Sequence, residues 1–239
     1  MEMLLWKTHP FLFYLSLLYT KTTYHSFFMQ ENIVRLLLSH GALQVSFNKP
    51  FVWSSGITSP IYCDNRKLFS DVAARKEIVR CLIALIQKEQ LFCTAIGGTA
   101  TAGIPWASFL AHDLEKPLCY IRPKKKWYGQ GRQVEGDLKQ GATVLVVEDL
   151  VSTGGSALAA SIALRHIGCV VTHVVSIVSW GFLDTQKRVA QESVSFLSLV
   201  QASAIIHVLK EDQHISSEEE QILLRFFRQP FSWASEVLV

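Results

Sequence analysis

The feature that most constrains this chain is the string Val144-Leu145-Val146-Val147-Glu148-Asp149-Leu150-Val151-Ser152-Thr153-Gly154-Gly155-Ser156. Four aliphatic residues run into two adjacent acids, then into a turn of small residues, and then into a helical pattern from Gly155. A strand apolar on both faces belongs to a sheet that helices cover on each side. In such sheets, ligands bind beyond the carboxyl ends of the strands. Ser152–Ser156 places backbone N–H groups at a helix N-terminus, which makes an anion cradle. No lysine follows the glycines, so the turn is not a nucleoside-triphosphate P-loop. Two acids in front of a cradle would repel a bare anion. They suit a ligand whose hydroxyls lie one sugar away from its phosphate. The acceptor-only carboxylates then take the hydroxyl donors while the cradle takes the phosphate. That ligand is a ribose 5-phosphate.

The rest of the chain supports the same architecture. Glu31–His40 and Val72–Lys88 read as amphipathic helices, the second with Val72, Ile78, Val79, Leu82, Ile83 and Ile86 on one stripe. Apolar runs bounded by Gly, Pro or charge predict strands over Phe92–Ile96, Leu118–Ile121, Thr143–Val147, Val170–Val178 and Val194–Leu197. Helical stretches separate them at Ala100–His112, Gly155–Ile167 and Leu183–Gln191. Alternating strands and helices predict an α/β fold with a central parallel sheet.

Composition excludes several classes. At 239 residues, 49% hydrophobic and 18% charged, the chain is core-rich and not disordered. A net charge of +3 argues against a nucleic-acid binder. The five cysteines (Cys63, Cys81, Cys93, Cys119 and Cys169) are odd in number and without C-x-x-C spacing. They read as reduced thiols of a cytoplasmic protein. The positive mean hydropathy owes much to residues 1–28, rich in aromatics such as Trp6, Phe11, Phe13 and Tyr14. Their apolar run, Phe11 to Tyr19, is shorter than the roughly 20 residues a spanning helix needs. No small-residue cleavage site follows it. Residues 1–28 are therefore expected to lie outside the fold, with one domain over 29–239 and no membrane partner.

The Val144–Ser156 string resembles the 5-phosphoribosyl-1-pyrophosphate (PRPP) motif of type I phosphoribosyltransferases. Three further strings narrow the resemblance to orotate phosphoribosyltransferases. Phe51-Val52-Trp53-Ser54-Ser55-Gly56-Ile57-Thr58-Ser59-Pro60-Ile61-Tyr62-Cys63-Asp64-Asn65-Arg66 is similar to their N-terminal hood. Ala95–Pro105 looks like their pyrophosphate loop, and Ile121–Gly129 like their catalytic loop. In the second, Gly97 and Gly98 are expected in a tight turn after a strand, with Thr99 and Thr101 as donors. The third lies in a basic span, Lys116–Arg132, where Lys116, Arg122, Lys124, Lys125, Lys126 and Arg132 carry positive charge with no acid among them. Gly129 and Gly131 let such a loop act as a lid over a polyphosphate.

The resemblance implies a type I phosphoribosyltransferase fold with a small hood, and transfer of phosphoribosyl from PRPP to orotate. It implies that Glu148 and Asp149 hold ribose hydroxyls and that Leu150, Val151, Ser152, Thr153, Gly154, Gly155 and Ser156 surround the 5-phosphate. Arg122, Lys126 and Tyr128 would contact PRPP, with Lys126, Arg122 and Asp149 as the catalytic set. Ser152 would also touch orotate. Mg²⁺ is the implied cofactor, with no protein metal ligand assigned. A homodimer is implied, residues 122–132 completing the neighbouring site. The chain departs from the family at Tyr128, where a histidine is usual, at Pro123, and at Ser54, Thr58 and Ala102, where relatives often carry a basic residue. A non-catalytic PRPP-sensing regulator on the same fold is the alternative. It would be expected to add a nucleic-acid-binding element, which the sequence lacks. The hood string argues against a purine-base enzyme, and the length against a fused decarboxylase barrel.

Overall fold

The computed structural model describes residues 21–53, 55–123 and 132–234, of which 21–27 by backbone alone. Met1–Thr20, Ser54 and the basic-loop residues Lys124, Lys125, Lys126, Trp127, Tyr128, Gly129 and Gly131 lie outside the described residues. Helix α1 runs Lys21–Ser39, starting earlier than the expected Glu31 and continuous across Phe28–Met29. Among its described side chains, Met29, Ile33, Val34 and Leu37 pack into the core.

A small antiparallel unit follows. It comprises β1 (Leu43–Val45) paired with β4 (Ile61–Cys63), and β2 (Phe51–Val52) paired with β3 (Thr58–Ser59). A 3-10 turn, Asn65–Ser70, leads to α2 (Val72–Lys88), whose first turn is capped by the Asp71 carboxylate on the Ala74 N–H at 2.8 Å. Along α2, Ile78, Val79, Leu82 and Ile86 are buried, while Val72 at the helix start is exposed.

The main sheet contains β5 (Ala95–Thr99), β6 (Leu118–Ile121), β7 (Val134–Glu135), β8 (Val144–Val151), β9 (His173–Ser179) and β10 (Ser195–Gln201). Its order is β10-β9-β8-β5-β6-β7, parallel throughout except for the antiparallel β6–β7 edge. The connecting helices are α3 (Gly103–Asp113), α4 (Gly155–His166), α5 (Leu183–Gln191), α6 (Ala202–Glu211) and α7 (Ser217–Arg228). Strand β8 shows why the sheet needs two covered faces. Val144 and Val146 pack with Ala157, Ala160 and Leu164 of α4, while Leu145 and Val147 pack into the larger core on the other face. Fully burying each such side chain contributes about 1.5–3 kcal/mol.

Two expectations change in register. Gly97 and Gly98 are not in a turn: they lie within β5, Gly97 between Cys119 and Val146, Gly98 between Tyr120 and Val147. Their small size permits close packing. A Cβ on Gly98 would stand 2.8 Å from the Ala107 Cβ and 2.9 Å from the Ile104 Cα of α3. Likewise, β8 does not end at Val147. It carries Glu148 and Asp149 as strand residues, Glu148 opposite Ser176 and Val151 opposite Ser179.

Candidate active site

The site forms where β8 hands over to α4. Glu148, Leu150, Val151, Ser152, Thr153, Gly154, Gly155, Ser156 and Ala157 line one cleft, enclosing about 230 Å³ of open space. Gly154 takes a left-handed conformation (φ 72°) and sits at the N-cap of α4, where no side chain bonds the first-turn N–H groups. Those donors are left for a ligand, as an anion site requires. The turn is held from the chain that follows β9: Thr185 Oγ1 in α5 donates to the Ser152 carbonyl at 2.9 Å, and the Trp180 N–H donates to the Val151 carbonyl at 3.0 Å.

Glu148 is buried, 7% exposed, at the floor of the cleft. Its Oε1 accepts the Asp149 N–H at 3.2 Å. Burial first, and the Asp149 charge second, push its carboxyl up to about 8. Burial pushes Asp149 upward as well. A buried carboxyl and a half-buried one side by side cannot both ionise cheaply, so the ligand-free pair retains a proton near neutrality. Each gains from a ligand that brings hydroxyl donors or a cation.

The start of α3 presses on the same strand end. A Cβ on Gly103 would collide with Thr99 Oγ1 and lie 2.5 Å from the Val147 carbonyl oxygen. Thr99 Oγ1 itself donates to that carbonyl at 3.2 Å, and its hydroxyl also lies against the Glu148 carboxyl, where it partly offsets the upward shift. The turn after β5 therefore comprises Ala100–Ala102, with a cis peptide between Ala100 and Thr101.

Arg122 stands at the neck of the β6–β7 hairpin. Its N–H donates to the Gln133 carbonyl at 2.9 Å, Gln133 Nε2 returns a bond to the Arg122 carbonyl at 2.9 Å, and its guanidinium lies 3.6 Å from Glu135. This neck fixes the two ends of the segment that carries Lys126 and Tyr128.

Two functional contacts had no assigned role in the sequence reading. Asn65 is fully buried, and its Nδ2 donates to the Asp149 carbonyl at 2.9 Å. The Cys63 thiol, held well above the usual range by burial and the Asp149 charge, donates to Asn65 Oδ1 at 3.4 Å. Arg66, chelating Asp64, also feels the Asp149 charge. Together these residues tie the hood to the acidic end of β8. Asn65 and Arg66 were visible only as members of the hood string, since nothing local in a sequence reveals a contact to a residue so far along the chain.

Comparison with known proteins agrees with this geometry. Residues 71–208 match the phosphoribosyl transferase domain family. The orotate phosphoribosyltransferase of Coxiella burnetii is 38% identical over 201 residues, covering 84% of this chain and 96% of its own. The chain belongs to the orotate phosphoribosyltransferase family. The Bacillus subtilis orotate phosphoribosyltransferase is 38% identical over 204 residues, covering 85% of this chain and 94% of its own. Among solved structures, the Aeropyrum pernix orotate phosphoribosyltransferase superposes with a TM-score of 0.67 at 31% identity, over 77% of this chain and 99% of that one. Leishmania donovani UMP synthase shares the fold, with a TM-score of 0.72 at 24% identity over 83% of this chain and 42% of that one. The family membership matches the expected parallel-sheet phosphoribosyltransferase fold and the expected enzyme class.

Proposed function

We propose that this enzyme joins orotate to the phosphoribosyl group of PRPP, releasing pyrophosphate and forming orotidine 5′-monophosphate in pyrimidine biosynthesis. The observation that carries the reading is the uncapped α4 cradle beside buried Glu148 and its neighbour Asp149. A regulator would need phosphate and ribose recognition too. The family membership and the cations Arg122 and Lys126 favour catalysis.

The 5-phosphate takes the N–H groups of Val151–Ser156, and the ribose hydroxyls donate to Glu148 and Asp149. That placement puts the anomeric carbon over the β8 end, between two flanks. On the β5–β6 flank lie the Ala100–Ala102 turn and the Arg122 hairpin, where pyrophosphate leaves. On the β9 flank lie Ser152, Trp180 and the hood, from which the orotate ring nitrogen attacks. Opposite approach of nucleophile and leaving group suits displacement at a carbon with oxocarbenium character. Lys126 and Arg122 offset the negative charge growing on pyrophosphate. Asp149 holds the ribose as the bond breaks, and Tyr128 offers a neutral hydrogen bond where relatives have a histidine.

The acidic pair also fits Mg²⁺ chemistry. Two oxygen-donor carboxyls pushed upward by desolvation suit a ligand that carries a hard cation. Glu148 and Asp149 would hold the Mg²⁺-bearing ligand, and the ion would supply charge neutralisation on pyrophosphate. A homodimer in which residues 122–132 complete the neighbouring site is part of the same proposal, as is a cytoplasmic setting, supported by five unpaired cysteines. Among the described residues no helix is long and apolar enough to cross a membrane. Calorimetric titration of PRPP with Mg²⁺ tests the site. Binding by the wild type, and its loss in the Glu148→Gln/Asp149→Asn variant with melting temperature retained, is the expected result.

A further inference from the structure

Trp53 sits at the end of β2, where the hood turn begins. Its backbone closes that turn: its N–H donates to the Ile57 carbonyl and its carbonyl accepts the Gly56 N–H, both at 2.9 Å. Its indole Nε1 donates to the Ile61 carbonyl at 3.0 Å, so both hood strand pairs are tied to one residue, β2–β3 by its backbone and β1–β4 by its side chain. The ring then leaves the hood. It stacks on Trp180 (centroids 5.6 Å apart, planes 15° apart) and on Phe182 (6.2 Å, 22°), and meets the edge of Phe226 in α7 at 5.7 Å. Trp180 and Phe182 are themselves buried, at 3% and 2% exposure. They belong to the segment just past β9, the same segment that holds the cradle through the Trp180 N–H on Val151 and Thr185 on Ser152.

We infer that the Trp53–Trp180–Phe182 stack is a positioning device that holds the hood against the segment past β9 that also braces the cradle, and so governs affinity for the attacking base. Two independent tethers join the hood to β8. Asn65 bonds the carbonyl of Asp149, and Trp53 reaches Val151 through Trp180. The first fixes the hood beside the ribose acids. The second fixes the β2–β3 turn on the β9 flank, where the base enters. Stacked aromatic pairs of this kind hold their rings in a preferred geometry, which aliphatic contacts do not. Trp53 touches neither the cradle nor the acids in the described contacts, so it acts through the turn it carries.

The inference rests on the proposed reaction, and steady-state kinetics on full-length protein separate the two. Wild-type turnover of orotate is measured first; its absence sinks the reaction reading itself. Given turnover, Trp53→Ala is expected to raise the KM for orotate by roughly tenfold or more, with the KM for PRPP changed less than about twofold. Trp53→Phe, which keeps a stacking ring, restores most of the orotate affinity. Trp53→Leu keeps apolar volume without a stacking ring. It should resemble alanine, and it serves where the alanine variant does not fold. Equal rises in both KM values, or a leucine variant as good as phenylalanine, would mean that Trp53 is only core filling and would overturn the inference.

Discussion

Asn65 Nδ2 donates to the backbone carbonyl of Asp149 at 2.9 Å, from a position with no solvent exposure. The amide is used at both ends, because its Oδ1 accepts from the Cys63 thiol at 3.4 Å. The hood thus holds the strand at the residue proposed to carry the ribose. Replacing Asn65 with alanine strands a buried carbonyl partner and should cost about 1–3 kcal/mol of stability. The same change loosens Asp149, so the KM for PRPP should rise with it. Asn65→Asp sets an acceptor against a carbonyl and should be worse than alanine on both counts. Thermal melts read beside PRPP titrations check both; an Asn65→Asp protein as stable as wild type would contradict the contact.

The Glu148 carboxyl predicts a pH signature with a definite sign. Its folded value, about 8, stands above the ordinary value of 4.5 because of burial and the neighbouring Asp149. Between those values the folded protein binds more protons than the unfolded chain, so stability falls as pH rises through this window. The contribution is fully present below about pH 4.5 and lost above about pH 8. In the proposed binding mode PRPP with Mg²⁺ takes the ionised pair, so binding near neutrality should release protons. Calorimetry in buffers of different ionisation enthalpy measures that release, and Glu148→Gln should reduce it while flattening the pH dependence of stability.

Lys126 is proposed to work on the leaving group alone. Lys126→Ala should lower kcat by about 10²–10³, the usual cost of removing one charge-stabilising donor, and leave the melting temperature unchanged. Tyr128→His should change kcat by less than about tenfold, because Lys126 supplies the charge. A rise of several orders of magnitude from a negligible base would show that tyrosine had disabled the loop.

Legibility in the sequence followed how local the cause was. Val144–Val147 announced a doubly covered strand, and the structure packs its alternate residues on opposite faces. The Leu118–Ile121, Val72–Lys88 and Leu183–Gln191 boundaries coincide with the observed elements for the same reason. Glu148 and Asp149 looked like loop residues, since acids seldom occupy a buried strand. They are tolerated there because the strand ends in an open cleft and the pair can keep a proton. Gly97 and Gly98 looked like a turn, because a glycine required by a neighbouring helix and one required by a turn leave the same mark. Asn65 and Trp53 stand inside the hood string without a role of their own, and Trp180 carries no local signal. Their partners lie far away in the chain, and only the folded topology brings them together.

The measurement that bears most directly on the whole account is initial-rate turnover with PRPP and Mg²⁺, comparing orotate with a purine base, while PRPP binding is followed on the same preparation. The account predicts loss of orotate, equimolar pyrophosphate release, and no consumption of the purine. Tight PRPP binding with no turnover of orotate would contradict it, and would make the chain a PRPP sensor built on an enzyme's fold.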